Sequence, residues 1–407
     1  MARPASATCP HCFETFSLRS AVFRCQADNC TARNAGEAII DGSPLKFARG
    51  DTLSRRADPV MTSAWEDNRL FNHSFTVPGL EGLPLFGKPR TRAICPLSEE
   101  RTTEKLCPAC HKQLYPLIGY GSDLRMTLIG GANAGKSNYI AVLIDELRRA
   151  KGARFGFAVR PLDAETGPRY TDSYFRPVFE HRRLVGGTAI VTKRSAVIAP
   201  LVFGLQFAAD SARPMVTLSL FDPPGEGVIN DSHVEKFHQF VFNSAGLVLL
   251  VDAEKLMASG RFGDHLSDAN RALEVAIRQL EAQHGGRPRS MPYVAIAVSK
   301  ADLLRDTGEL PERFWQEPTH AGGYDDIDFQ LVSNEVERLL RSRGGGTLCN
   351  IAENMFGREH VGYFAFSALG QAAEGTSPMS EIAPLRVAEP FIWLLSRHGV
   401  VQRRGSP

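Results

Sequence analysis

Residues Gly130, Gly131, Ala132, Asn133, Ala134, Gly135, Lys136 and Ser137 read GGANAGKS, the spacing G-x-x-x-x-G-K-[ST]. Glycines at those places let a backbone curl until several N–H groups converge, and convergence at a helix N-terminus suits an anion such as phosphate. In that arrangement Lys136 neutralises β- and γ-phosphate oxygens, Ser137 gives its hydroxyl to Mg²⁺, and Asn138 lies beside them in the first helical turn. The motif needs a strand before it and an amphipathic helix after it. RMTLIG at 125–130 supplies the first, and Ile140, Leu143, Ile144 and Leu147, at helical spacing, supply the second.

Three later stretches could complete a nucleotide site. MVTLSLF at 215–221 runs into Asp222-Pro223-Pro224-Gly225-Glu226, where the carboxylate can hold Mg²⁺ through water and the Gly225 N–H can meet a γ-phosphate. VSKAD follows the strand YVAIA: Asp302 can accept from the N1 and N2 donors of guanine, which adenine lacks, while the stem of Lys300 lies along the base. A carboxylate left unpaired against adenine lets such a site discriminate by about 10⁴. Ser299 stands where Asn or Thr is common. Last comes FSALG, where a backbone N–H among Ser367, Ala368 and Leu369 can meet the guanine O6. The nucleotide implied is GTP or GDP.

A second chemistry is concentrated near the start: seven of the eight cysteines precede residue 111. In a reducing compartment such clustering points to metal rather than disulfides. Cys9, Cys12, Cys25 and Cys30 supply four thiolates on two turns, the number that closes a tetrahedral Zn²⁺ site. Cys95, Cys107 and Cys110 form a second group one thiolate short, with Ser98 where a C-x-x-C partner would stand. His111 can complete it, although a ligand directly beside Cys110 is geometrically awkward. His11, inside CPHC, reads as a bystander. Phe13, Phe16, Arg19, Phe23 and Arg24 suit either a nucleic-acid surface or a miniature core, and a structural or docking role is favoured.

These groups need elements to position them. LVFGLQF (201–207), MVTLSLF, GLVLLVD (246–252), YVAIAVS (293–299) and GYFAFS (362–367) read as strands, several apolar on consecutive positions as in a sheet covered on both faces. The seven residues 208–214 are too few for a helical crossover, so the strands they join should be antiparallel neighbours in a mixed sheet. Leu273, Ile277 and Leu280, and Val387, Phe391, Leu394 and Leu395, mark further helices. The fold class is therefore α/β: a P-loop NTPase with a Ras-like mixed sheet flanked by helices, preceded by a small zinc-binding domain. The boundaries read 1–122 for a cysteine-rich module of metal-stapled loops and short hairpins, 123–398 for the nucleotide domain, and 399–407 for a frayed, disordered tail.

Across 407 residues, 43% hydrophobic and 23% charged residues describe a globular chain, and a net charge of +2 is too mild to argue for nucleic acid or acidic lipid. No apolar run reaches the ~18 residues of a membrane span, and the first residues lack the apolar core of a signal peptide, so a cytoplasmic protein is expected.

Taken in order, Gly130 to Ser137, Asp222 to Gly225, Ser299 to Asp302 and Ser367 to Leu369 resemble the motif set of TRAFAC-clade GTPases. With the cysteine-rich front and the ending RVAEPFIWLL, the chain resembles the bacterial double-GTPase family, whose members occur in multigene defence or signalling systems. The resemblance implies protein partners in a multi-component system and a switch threonine on Mg²⁺ and γ-phosphate. LVGGTAIVTKRS offers Thr188 or Thr192, and Thr192 is preferred. Glu226 stands where Ras-like enzymes carry the water-orienting Gln, and can orient water or face solvent. With no arginine finger assignable in the chain, intrinsic turnover is expected to be slow, on the order of 10⁻⁴ to 10⁻² per second.

Overall fold

The computed structural model describes residues 6–81, 88–115, 118, 122–131, 133–186, 200–207, 215–222, 243–258, 267–282, 291–318, 320, 323–371 and 378–405. The chain divides into two compact units, one comprising Met1–Asp123 with Val191–Val202 and the other Leu124–Ile190 with Phe203–Pro407.

In the first unit a five-stranded antiparallel sheet runs in the order Lys105–Leu106, Ser20–Arg24, Ser74–Pro78, Gly36–Ile40, Ser43–Phe47. Its core is small, with Phe23, Ile40 and Phe75 packed around Cys25, Cys30 and Cys95. The central strand Ser74–Pro78 and the hairpin Gly36–Phe47 go beyond the loops and short hairpins expected there. So does a helix, Pro59–Trp65. Asp58 caps that helix by accepting from the Val60 and Met61 N–H groups, with Pro59 at the first helical position where a missing N–H costs nothing.

The second unit holds a seven-stranded sheet. Its elements in chain order are β1 (Ser122–Gly130), α1 (Lys136–Glu146), β2 (Phe157–Pro161), β3 (Leu201–Phe207), β4 (Met215–Phe221), β5 (Gly246–Asp252), α2 (Ala253–Ala258), α3 (Ser267–Ala282), β6 (Tyr293–Ser299), α4 (Asp326–Leu340), α5 (Gly346–Phe356), β7 (Val361–Ala365) and α6 (Glu389–Arg397). The strand order is β2-β3-β4-β1-β5-β6-β7. β1, β5, β6 and β7 pair in parallel, and β2 pairs antiparallel with β3, so the sheet is mixed. β3 and β4 are neighbours, as the short connection requires. Every residue of β4, β5 and β7 is buried, which explains the unbroken apolar runs: helices cover both faces.

α1 buries Tyr139, Ile140, Val142, Leu143 and Ile144, each worth roughly 1.5–3 kcal/mol once removed from water. Its outer side lies under a further helical stretch, Thr166–Tyr170 continuing as wider π-type turns over Thr171–Glu180. There the Tyr170 hydroxyl donates to the Ala141 carbonyl at 2.8 Å. The tail expected to fray from 399 is instead ordered through 405. Arg403–Arg404 pair in parallel with Tyr324–Asp325.

Candidate functional site

The residues expected to form a nucleotide site lie at the carboxyl ends of the sheet strands, where open α/β sheets place their ligands. β1 ends at Gly130, whose φ of +149° and close approach to β5, with an added Cβ falling 2.8 Å from the Leu250 carbonyl oxygen, exclude a larger residue. The loop then turns through Asn133 (φ 61°) and Gly135 (φ 84°) into α1. Gly131 and Ala134 are part of this turn; Ala132 lies outside the described residues.

Lys136 is 7% exposed, and its Nζ donates to the Gly130 and Gly131 carbonyls at 3.0 Å each, so the ammonium lies folded over the loop. Burial pulls it below its usual pKa, against the nearby Asp222 charge. The Ser137 hydroxyl donates to Asp222 Oδ2 at 2.6 Å, bringing together the two side chains read as cation ligands. Burial raises the Asp222 pKa, opposed by the Ser137 hydroxyl and Lys136. Among the described residues, Asp222 Oδ1 is buried without a hydrogen-bond partner. A buried ammonium and a half-satisfied buried carboxylate form an electrostatically unfinished site: an anion would complete the first and a cation the second. These residues thus fit a phosphate with a divalent metal. Gly225, Glu226, Thr188 and Thr192 lie outside the described residues.

At the neighbouring strand ends, Lys300 adopts φ 56° directly after β6. Its Nζ donates to Asp252 at 2.8 Å and Glu254 at 3.1 Å, and although burial opposes it, those carboxylates raise its pKa. The Ser299 hydroxyl turns inward to the Val251 carbonyl at 3.3 Å. The Ser367 hydroxyl donates to Asp302 Oδ1 and accepts from the Gly370 N–H at 2.9 Å, so the two loops read as base-recognising are joined by their own side chains. Ala368 and Leu369 follow in that loop, nearly buried at 9% and 8% exposure. Asp252 had no place in the sequence reading; a lone Asp ending a strand carries no spacing signal.

The family model of Double-GTPase 2 matches residues 125–344, more than half of the chain, from β1 through α4. The chain belongs to the Double-GTPase 2 family. Membership of a GTPase family implies guanine nucleotide binding for this Double-GTPase 2 chain. A relative from Mycolicibacterium smegmatis, named "Putative ESX-1 scaffolding and assembly protein SaeC", is 29% identical over 353 residues, covering 80% of this chain and 86% of that protein. Solved structures similar to the chain include the signal recognition particle receptor SRb-GTP/SRX complex from Chaetomium thermophilum. It is 15% identical, with 64% of this chain and 94% of that one covered and a TM-score of 0.29. Another is the S. cerevisiae Ski7 GTPase-like domain bound to GTP, 14% identical, with 69% and 50% covered and a TM-score of 0.33. Among the described residues no helix is long and apolar enough to cross a membrane.

The cysteines assemble differently from the expected order. One cluster joins Cys9 and Cys12 to Cys107 and Cys110; the other joins Cys25 and Cys30 to Cys95 and His73. The set Cys9, Cys12, Cys25, Cys30 is thereby corrected, as is the incomplete set Cys95, Cys107, Cys110. The reason is local geometry. Three turns share one hydrogen-bond pattern, with Cys9, Cys95 and Cys107 each accepting from the residue four places on, at 2.9–3.0 Å. That fourth residue, Phe13, Glu99 or His111, takes positive φ. Two of these knuckles keep both thiols and face each other. In the third Ser98 replaces the second thiol, so His73, in the neighbouring sheet strand's approach, fills the vacancy. His111, considered as a ligand, instead bonds Asp58 at 2.8 Å.

Sulfur pairs Cys9–Cys110, Cys12–Cys107 and Cys30–Cys95 all stand 3.8 Å apart. A disulfide would be near 2.05 Å. The edge of a tetrahedron with metal–sulfur bonds of about 2.3 Å is about 3.8 Å, so the donors stand where a tetrahedral metal needs them. Backbone N–H groups of His11 and Ala109 point at Cys9 and Cys107 Sγ at 3.4 Å each, as suits thiolates. Hydrogen bonds from Cys25 hold the Cys95 thiol down to a pKa of about 3, against burial. Both clusters could bind a metal.

Proposed function

We propose that this chain is a Mg²⁺-dependent GTP/GDP switch with slow intrinsic hydrolysis, carried with two structural zinc ions in its first unit. The observation that carries the reading is the constellation of Lys136 over its loop, Ser137 on Asp222, and Ser367 on Asp302 at the strand ends of one sheet, of which the family model spans the part within residues 125–344. In this reading Lys136 and the loop N–H groups bind the phosphates, while Ser137 and Asp222 hold the cation. Asp302 selects guanine, with Lys300 beneath the base and the Ser367 to Leu369 backbone at O6. The region around Thr188 and Thr192 and the loop with Gly225 and Glu226 would order on GTP and relax after hydrolysis, displaying the nucleotide state to protein partners. Zinc suits the clusters because three or four thiolates with at most one imidazole are its usual structural donor set. In this reading residues 1–122 form the metal-binding domain and 123–398 the nucleotide domain.

The test is titration of purified full-length chain with fluorescent GDP at millimolar Mg²⁺, competed by GTP and ATP. Tight guanine-selective binding is expected; no binding, or equal competition by ATP, would remove the proposal.

A second reading, a nucleotide-binding scaffold, is suggested by the likeness to a Mycolicibacterium protein named for scaffolding and assembly; in its strict form such a scaffold would not turn over GTP. Single-turnover phosphate release, alone and with candidate partners, separates the two. Release supports the switch, and its absence throughout supports the scaffold.

A further inference from the structure

We infer that Tyr174 is a positioning residue of the cation site, and that through it the helical stretch before the switch region is wired to bound nucleotide. The inference rests on the reading of Ser137 and Asp222 as cation ligands. The Tyr174 hydroxyl lies 3.4 Å from Asp222 Oδ2, the oxygen that also accepts from Ser137. Two hydroxyls on one carboxylate oxygen fix the carboxylate's rotation and leave Oδ1, buried and unpartnered among the described residues, as the free donor atom.

Tyr174 is itself held in place. It stacks on Tyr170, with ring centroids 6.3 Å apart and planes 12° from parallel, and Tyr170 is bonded to the α1 backbone. The turns that carry it are π-type around Pro177, closed by the His181 N–H reaching back to the Arg176 carbonyl at 2.9 Å. Such wide turns are rare and often mark functional positions. An independent tie comes eleven residues later: the Val185 N–H donates at 2.9 Å to Asn138 Oδ1, the side chain directly after Ser137. The stretch from Tyr174 to Val185 is thus pinned to both sides of the cation site, at Asp222 and at the start of α1. It leads straight into the residues that include Thr188 and Thr192.

The experiment is a Mg²⁺ titration of fluorescent-GDP binding by full-length wild type, Tyr174→Phe, Asp222→Asn and the double variant, with melting temperatures measured alongside. Tyr174→Phe keeps the stacked ring and removes only the hydroxyl. The expected result is a Mg²⁺ midpoint raised about five- to tenfold, with GDP affinity at saturating Mg²⁺ within about twofold of wild type. In the Asp222→Asn background the same change should add little, because the hydroxyl acts through that carboxylate. A midpoint moved by Asp222→Asn but not by Tyr174→Phe overturns the inference, whatever happens to the melting temperature. A wild type whose GDP binding ignores Mg²⁺, with Asp222→Asn equally inert, would instead overturn the cation-site reading, and this inference with it.

Discussion

At the level of single residues, buried charge decides most of what can be tested. Asp58 is 5% exposed yet meets Arg24 at 2.7 Å and His111 at 2.8 Å while capping the helix Pro59–Trp65. Burial alone would raise its pKa, but His111, the helix N–H groups and Arg24 hold it well below the usual carboxylate range. Because the folded-state pKa is depressed, its stabilising contribution is present above about pH 4, the unfolded value, and is lost as pH falls further. Asp58→Ala leaves the buried Arg24 with Glu104 as its remaining carboxylate, deprives His111 of its partner and removes the helix cap, and should cost about 3–5 kcal/mol, read by denaturant unfolding. Asp58→Asn keeps the cap and should cost less, with the acid-side slope gone. In the second unit, Asp302→Asn replaces the acceptor proposed to face the guanine donors by a group that can present its own N–H₂. GDP affinity should fall by about 10² or more while ATP binding changes little, in the competition assay described above. A variant with unchanged GDP affinity would show that Asp302 does not read the base.

At the level of elements, the sheet of the second unit was readable because its strands are buried on both faces and so stay apolar over five to seven residues. β2 was not. Its sequence FAVRP places Arg160 and Pro161 on a half-exposed edge strand, where apolar continuity is not required. The first unit's sheet was missed for a similar reason: Ser43–Phe47 and Ser74–Pro78 mix Ser, Pro and Lys with few apolar residues. Spacing along the chain singled out the cysteines that cluster but not their partners, since a C-x-x-C turn says nothing about which distant turn it faces. The only available hint was Ser98, which left one knuckle short and so required a donor such as His73 from elsewhere. The nested arrangement makes a prediction that the sequential one does not. With metal counted by atomic emission on purified chain, Cys9→Ser combined with Cys110→Ser removes ligands from one cluster and should leave about one metal per chain. Cys9→Ser combined with Cys30→Ser strikes both clusters and should leave none. The reverse pattern would restore the sequential pairing.

For the molecule as a whole, the two units are stabilised in different ways, and metal removal should separate them. The first unit divides its buried apolar side chains: Phe23, Ile40 and Phe75 gather around Cys25, Cys30 and Cys95 in one cluster, while Phe16, Met61, Trp65, Leu106 and Leu114 are buried outside it. In a core so divided, metal binding as proposed would add cross-links over long loops, one cluster joining residues 101 apart in sequence, so that ligand binding free energy would become folding free energy. The second unit buries whole strands and most of α1 and α6, and every described residue of its nucleotide site belongs to it. Stripping the full-length chain with a strong thiol-compatible chelator should therefore open Met1–Asp123 to proteolysis while the remainder resists cleavage. GDP affinity should stay within about threefold of the untreated chain. Cleavage sites confined to the first unit, mapped by mass spectrometry, together with retained GDP binding would meet the expectation. Loss of GDP binding in step with loss of metal would mean that the nucleotide site depends on the metal clusters for its fold, contrary to the separation argued from burial.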